Sequence, residues 1–288
     1  MKTLEGKVAV VTGASRGLGK SIAQIFARNG AKVVLSARSQ KDTELNAADL
    51  KAEGHEAVAF VCDVSDRKQV EALAHFTIEN YGGFDIWVNN AGIGGPYGAT
   101  LDLASEEFLN VLRINLFGAY HGSTVAMRHF LARRSGKLVN ILGQGAKKPV
   151  PNQNAYGSTK AWIRVFTLTL AKEYKDSGVG VFALQPGLMS TDMLTELVTF
   201  KEHEQRLRKL MPMLIRAGAK NPDVAAGKAL WLVSSATDGK TGLDVSVGST
   251  LAFLVGFVRE GVCKLLHIPV HPVEMKVKII PSAFEPLE

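Results

Sequence analysis

The sequence predicts an α/β protein built on a doubly wound, parallel sheet of about seven strands, with helices on both faces. Three observations carry this. Short apolar runs rich in Val, Ile and Ala alternate with longer amphipathic stretches along most of the chain. The runs are apolar throughout, as strands covered on both faces are. A glycine-rich turn, Thr12-Gly13-Ala14-Ser15-Arg16-Gly17-Leu18-Gly19, follows the first run directly.

Val8–Thr12 is the first strand, followed after the glycine turn by a helix whose apolar positions Leu18, Ile22, Ile25 and Phe26 recur at helical spacing until Gly30. Lys32–Ala37 is the second strand, a polar helix runs to Leu50, and Ala57–Val61 is the third strand. A helix over 66–80 leads to a strand over 84–89. One long helix over 106–131, a strand over 137–142, a helix over 155–175 and the strand Val179–Gln185 continue the rhythm. Asn221-Pro222-Asp223 reads as a helix start, with a capping Asn and Pro at the first helical position. That helix runs through Val233 to a last strand over 243–247. Right-handed crossovers between such strands give a sheet of the Rossmann type.

The 288 residues are 46% apolar and 21% charged, which excludes extensive disorder and a multi-span membrane protein. The formal charge of +7 is scattered, with pairs no longer than Arg133/Arg134 and Lys147/Lys148, so no nucleic-acid surface is expected. Cys62 and Cys263 lie far apart without metal-type spacing and read as buried free thiols; no metal site is expected. Residues 1–7 contain no apolar signal stretch, and a cytoplasmic location is the expectation.

The turn at 12–19 joins a strand to a helix, where small residues admit a backbone-close pyrophosphate and the helix N-terminus offers free N–H donors. Glycines also serve a tight turn for backbone reasons alone; the position at the first strand–helix junction is what points to a dinucleotide. After the second strand the sequence reads Ser36-Ala37-Arg38-Ser39, with no carboxylate to repel a ribose 2′-phosphate. Arg38, with Arg16, would clamp that phosphate, so NADP(H) is expected over NAD(H); the alternative is two surface arginines.

Together with Asn89-Asn90-Ala91-Gly92, Asn115, Tyr156-x-x-x-Lys160 and Pro186-Gly187, in this order, the turn resembles the short-chain dehydrogenase/reductase family over about residues 5–248. The resemblance implies a nicotinamide cofactor and hydride transfer. It places Gly13, Ser15, Arg16, Gly17, Leu18 and Gly19 on the phosphates, Asp63 on the adenine, with Val64 beside it, and Asn89, Ala91 and Gly92 along the adenine ribose side. Pro186, Gly187 and Thr191 would flank the nicotinamide. A homo-oligomer, dimer or tetramer, follows by the same analogy.

Tyr156 and Lys160 sit one helical turn apart and share a face. A phenol near an ammonium and a nicotinamide cation is favoured in its ionised form, which makes Tyr156 the general acid/base candidate. By the resemblance, Lys160 would also hold the nicotinamide ribose, and Asn115 would anchor a proton-relay water. The resemblance further places a Ser thirteen positions before the Tyr, where this chain has Gly143, preceded by Leu142. Losing one donor to a developing oxyanion typically costs two to three orders of magnitude in rate. Gln144, Asn152, Asn154 or a water in the vacated space would supply the replacement.

The leading expectation is therefore an NADP(H)-dependent oxidoreductase acting on a fairly hydrophobic small molecule. A non-redox enzyme performing proton transfer, elimination or C–C cleavage on the same frame is the alternative, followed by a cofactor-binding regulatory or scaffold protein. Residues 1–248 form the dinucleotide-binding and catalytic unit, with 188–220, rich in Met and Leu, as a substrate lid. Residues 249–288 form a C-terminal extension. Its apolar run over 251–258 is too short to span a bilayer and surrounds its helix, which favours burial on the core or a partner subunit over a membrane surface. A strand-like stretch over 276–280 follows.

Overall fold

Val8–Thr12 (β1) is built from five consecutive apolar or β-branched residues, all buried, in the computed structural model of the chain. The structure describes residues 2–248, 250–266 and 268–285; the initial Met1 and the tail positions 249, 267 and 286–288 lie outside the described residues. After β1 come α1 (Gly17–Arg28), β2 (Lys32–Ala37), α2 (Gln40–Ala52), β3 (Ala57–Val61), α3 (Arg67–Tyr81) and β4 (Ile86–Asn89). The second half adds α4 (Ser105–Leu112), α5 (Gly118–Arg133), β5 (Gly136–Ile141), α6 (Asn154–Glu173) and β6 (Val179–Gln185). The segment over 188–220 then holds α7 (Asp192–Thr195), β7 (Glu196–Thr199) and α8 (Lys201–Gly218). The chain ends with α9 (Pro222–Val233), β8 (Asp244–Ser246), α10 (Thr250–Leu265) and β9 (Lys276–Ile279).

Seven strands form one parallel sheet in the order β3-β2-β1-β4-β5-β6-β8, the Rossmann-type architecture. The order reverses between β1 and β4, so their carboxyl ends open a crevice, the place where doubly wound sheets bind ligands. Two apolar layers cover the sheet. Ile22 and Phe26 of α1 and Leu232 of α9 pack on one face, and Leu73 of α3 and Phe130 of α5 pack on the other with Trp87. Asn221 caps α9 by accepting from Asp223 N, as its sequence signature requires.

Three features differ from expectation. The helix over 106–131 is interrupted: residues 113–117 form a π turn between α4 and α5. The cause is Asn115, whose side chain bonds the backbone of Ile93 in both directions and widens the helix locally, and no periodicity records such a bond. The strand over 84–89 shortens to β4, because Phe84 N is taken by His129 Nε2 at 3.2 Å and does not join the ladder.

The third is the tail. β9 pairs in parallel with β7, setting Glu196 against Lys276 and Thr199 against Ile279. Beyond it Ile280 N donates to Thr199 O, Ala283 N donates to Asp102 O, and Ser282 Oγ donates to Asp102 Oδ1 at 2.8 Å. Upstream, α10 packs on α8 through Gly256, where any Cβ would collide with the Ala217 backbone, and through Arg216–Glu260 at 2.8 Å. The apolar residues of α10 therefore divide between an inner face on α8 and an uncovered outer face, and burial accounts for only part of that helix.

Candidate active site

The glycine turn leaves β1 with its carbonyls already engaged. Asn90 Nδ2 donates to Thr12 O and Gly13 O at 3.0 and 3.2 Å, and Asn46 Nδ2 donates to Ala14 O and Ser15 O at 3.2 and 2.8 Å. Thr12 Oγ1 accepts from Asn90 N and Ala91 N, tying the turn to the end of β4. Gly13 has φ +66°, and a Cβ there would stand 2.8 Å from Ala91 Cα. Only glycine fits at that approach. At Gly19 a Cβ would collide with Gly13 O. α1 follows Arg16 as its N-cap residue, without a side-chain cap and without an acid in its first turn. Its positive dipole end and first N–H groups thus stay available to an anion, so the turn fits a dinucleotide pyrophosphate.

Gly17 touches Thr191, where a Cβ would lie 3.3 Å from Thr191 Cγ2. Arg16 Nη1 reaches Asp192 Oδ2 at 3.0 Å and Glu196 Oε2 at 3.1 Å, and Glu196 also accepts from Lys276 Nζ of β9 at 2.9 Å. Arg16 is thus committed to the carboxylates of Asp192 and Glu196. Arg38 is exposed just past β2, and its guanidinium has no partner among the described residues. The expected clamp formed by both arginines is not assembled in this structure. Ser15 and Leu18 are half-buried within the turn.

Asn89 and Asp63, both expected beside the nucleotide, also make bonds within the chain. Asn89 is buried, accepts from Trp87 Nε1 at 2.8 Å and donates to Ser123 Oγ and Asn140 Oδ1 at 3.0 and 2.8 Å. Its side chain ties the sheet to α5. Asp63 Oδ1 accepts from Ser65 N and Oγ at 2.9 and 2.7 Å, a turn closed at the end of β3. Val64 is buried, and a Cβ on Gly118 would stand 2.6 Å from its Cγ2. Pro186 is buried and Gly187, with φ +78°, is exposed beside Val247 O.

Lys160 is 4% exposed and donates from Nζ to Ile141 O at 3.2 Å; burial pulls its ammonium down to about 8. Nζ lies 5.6 Å from the Tyr156 ring centroid. Asn115 Oδ1 and Lys160 Nζ both stand within 4 Å of the Cβ position of Gly92, which places these three residues together. Asn115 Nδ2 also donates to Thr159 Oγ1 at 3.2 Å. The Tyr156 hydroxyl makes no hydrogen bond to any described residue. Burial pushes its phenol up to about 12, opposite to the lowering expected from a neighbouring ammonium.

Gly143 stands at the end of β5 with the Tyr156 phenol directly against it, and a Cβ there would collide with Tyr156 Oη and Cζ. The expected vacated space does not exist; the phenol fills it. Of the proposed replacement donors, Asn152 Nδ2 is spent on Tyr97 Oη at 3.3 Å and Asn154 Nδ2 on Thr100 Oγ1 at 3.1 Å. Gln144 is exposed, and its amide has no partner among the described residues. Sequence reasoning missed Thr12, Asn46 and Asn90 as builders of the turn; the Asn-Asn pair after β4 was the available signal.

A family profile described as short chain dehydrogenase matches residues 7–202. Glucose 1-dehydrogenase 2 of Bacillus subtilis (strain 168) is 33% identical over 254 residues, 87% of this chain and 97% of the relative. A 3beta-hydroxysteroid dehydrogenase 1 of Eggerthella lenta is 35% identical over 257 residues, 88% of this chain and 97% of the relative. Among solved structures, a 3-ketoacyl-(acyl-carrier-protein) reductase from Brucella melitensis complexed with NADH superposes with a TM-score of 0.76 at 32% identity. That match covers 85% of this chain and 97% of the other.

Proposed function

Since the chain belongs to the short chain dehydrogenase family, we propose that it is an NADP(H)-dependent oxidoreductase with Tyr156 as its acid/base. Its substrate is a fairly hydrophobic small molecule carrying a carbonyl or hydroxyl group. The observation that carries this reading is the Tyr156 hydroxyl, free of any hydrogen bond to a described residue, one helical turn from a buried Lys160. The unpaired Arg38 and the absence of a carboxylate at the end of β2 support the phosphorylated nucleotide. Met and Leu side chains between 188 and 215 support an apolar substrate.

When bound, the nicotinamide supplies or accepts the hydride. Burial keeps the Tyr156 phenol protonated, so in the reducing direction its hydroxyl donates a proton to the substrate oxygen. Lys160 and Asn115 meet at Gly92, where Lys160 holds a nucleotide hydroxyl and Asn115 fixes the Ile93 backbone as a wall. Gly143 is the position at which the family resemblance expects a Ser, and Gln144 is the free amide that takes over its donor role. The extension over 249–288 completes the lid of a catalytic unit spanning 1–248, and Thr191 closes that lid on the phosphate turn.

The non-redox alternative draws support from the phenol filling the position beside Gly143, because proton transfer by Tyr156 alone needs no second hydroxyl. Following NADPH and NADH oxidation with ketones, aldehydes and quinones separates the readings. Tyr156→Phe is expected to lower turnover by about 10²–10⁴ while leaving nucleotide affinity in place. Turnover indifferent to that change, or no affinity for either nucleotide, overturns the proposal.

A further inference from the structure

The outer face of α10, continued by the next residue Leu266, carries six apolar side chains, Leu254, Val255, Val258, Val262, Leu265 and Leu266, each 44–77% exposed. They fall within an arc of roughly 120° on an ideal helix. The opposite arc holds Gly256 and Glu260, which are buried against α8. One face of this helix is therefore seated and the other is left open. Together the six expose on the order of 600 Å² of apolar surface, a size that marks an interaction site on a folded protein.

Charge decides what covers it. α8 has five Lys or Arg and two Glu, and α10 has two Lys or Arg and one Glu, so this helix pair holds a net +4 of the chain's +7. The one acid of α10, Glu260, is spent on Arg216 and Glu204 of α8 on Arg208, while Arg206, Lys209 and Arg259 are exposed. A second copy docked across a twofold axis would bring two such cationic pairs together, with Glu202 the one exposed acid of each pair to offset them. An apolar stripe on a helix pair of net positive charge complements an anionic lipid surface.

We propose that the α8–α10 pair docks on anionic membrane surfaces, with these six apolar side chains entering the headgroup–acyl boundary. No described helix is long and apolar enough to cross a membrane, so the contact is one of lying on the surface. Because α10 packs on α8, docking sets the lid segment at the lipid–water boundary, where an apolar substrate partitions. That consequence rests on the substrate reading above; the docking does not.

Flotation of the full chain with phosphatidylcholine vesicles, and with an equimolar phosphatidylcholine–phosphatidylglycerol mixture, tests the proposal. Capture by the anionic vesicles alone is expected, falling as salt rises. Val258→Glu with Leu265→Glu is expected to weaken it by at least about tenfold, with thermal stability and NADPH oxidation unchanged because both positions are exposed. No capture by anionic vesicles, or equal capture of the double variant, overturns the proposal. So does a double variant whose particle mass without vesicles is half that of the parent, since the face then joins two copies.

Discussion

Tyr156 packs its hydroxyl end onto Gly143, so that the acid/base candidate occupies the volume a side chain at 143 would need. Restoring a hydroxyl at this position is therefore an act of overpacking. Gly143→Ser and Gly143→Ala are both expected to lower turnover at least tenfold and stability by about 1–3 kcal/mol, read by steady-state kinetics and thermal melts. A rise in carbonyl reduction with Gly143→Ser would show that the phenol yields at little cost.

Gln144 is the one free amide among the three replacement candidates. Gln144→Ala is expected to reduce kcat by about tenfold or more with nucleotide affinity unaltered, whereas Asn154→Ala has a smaller effect. Equal losses in the two variants would remove Gln144 from the proposed role.

Arg38 and Arg16 are expected to behave differently. Arg38→Ala raises KM for NADPH by about tenfold or more and leaves NADH unaffected, as expected for a charged group bonded to a phosphate. Arg16→Ala changes both nucleotides alike, because its guanidinium holds Asp192 and Glu196 of the lid. Kinetics with both nucleotides on both variants checks this.

The pH dependence of stability follows from Lys160. Its folded pKa of about 8 lies below the ordinary 10.5, so between these values the unfolded chain binds more protons and stability rises with pH. The penalty is fully present below pH 8 and amounts to about 3 kcal/mol. Tyr156 acts oppositely: raised from 10 to about 12, it adds stability that is lost as pH climbs through that window. Chemical denaturation of nucleotide-free Lys160→Met is expected to lack the rise between pH 8 and 10.5.

Asn90 secures the glycine turn through two carbonyls. Asn90→Ala is expected to cost about 1–3 kcal/mol and to weaken nucleotide binding severalfold, measured by melting and by calorimetric titration. Unchanged affinity would mean that the turn keeps its shape without this amide.

Deleting the chain after Gly248 removes β9 and the Ser282–Asp102 bond. Faster tryptic cleavage within 188–220 and a raised substrate KM are expected. An unchanged cleavage pattern and KM would separate the extension from the lid.

The parallel sheet was legible because its strands are buried on both faces and leave unbroken apolar runs, and the turn at 12–19 because glycine alone tolerates its backbone. Tyr156 and Lys160 were legible as a helical pair. What the sequence did not disclose were side-chain bonds between distant segments. Asn115 and Ile93 make the π turn, Asn89 and Asn140 bind the sheet to α5, and the phenol's seat on Gly143 depends on how α6 meets the end of β5. The pairing of 276–279 with 196–199 was hidden for a similar reason: each run marks a strand, but neither names its neighbour.

That pairing joins stretches eighty residues apart, Glu196 against Lys276. A nascent chain leaving the ribosome can finish β1 through β8 while β7 still lacks its neighbour, because β9 is made after all of them. The nucleotide crevice is thus complete before its cover, giving a cofactor a window to enter during synthesis.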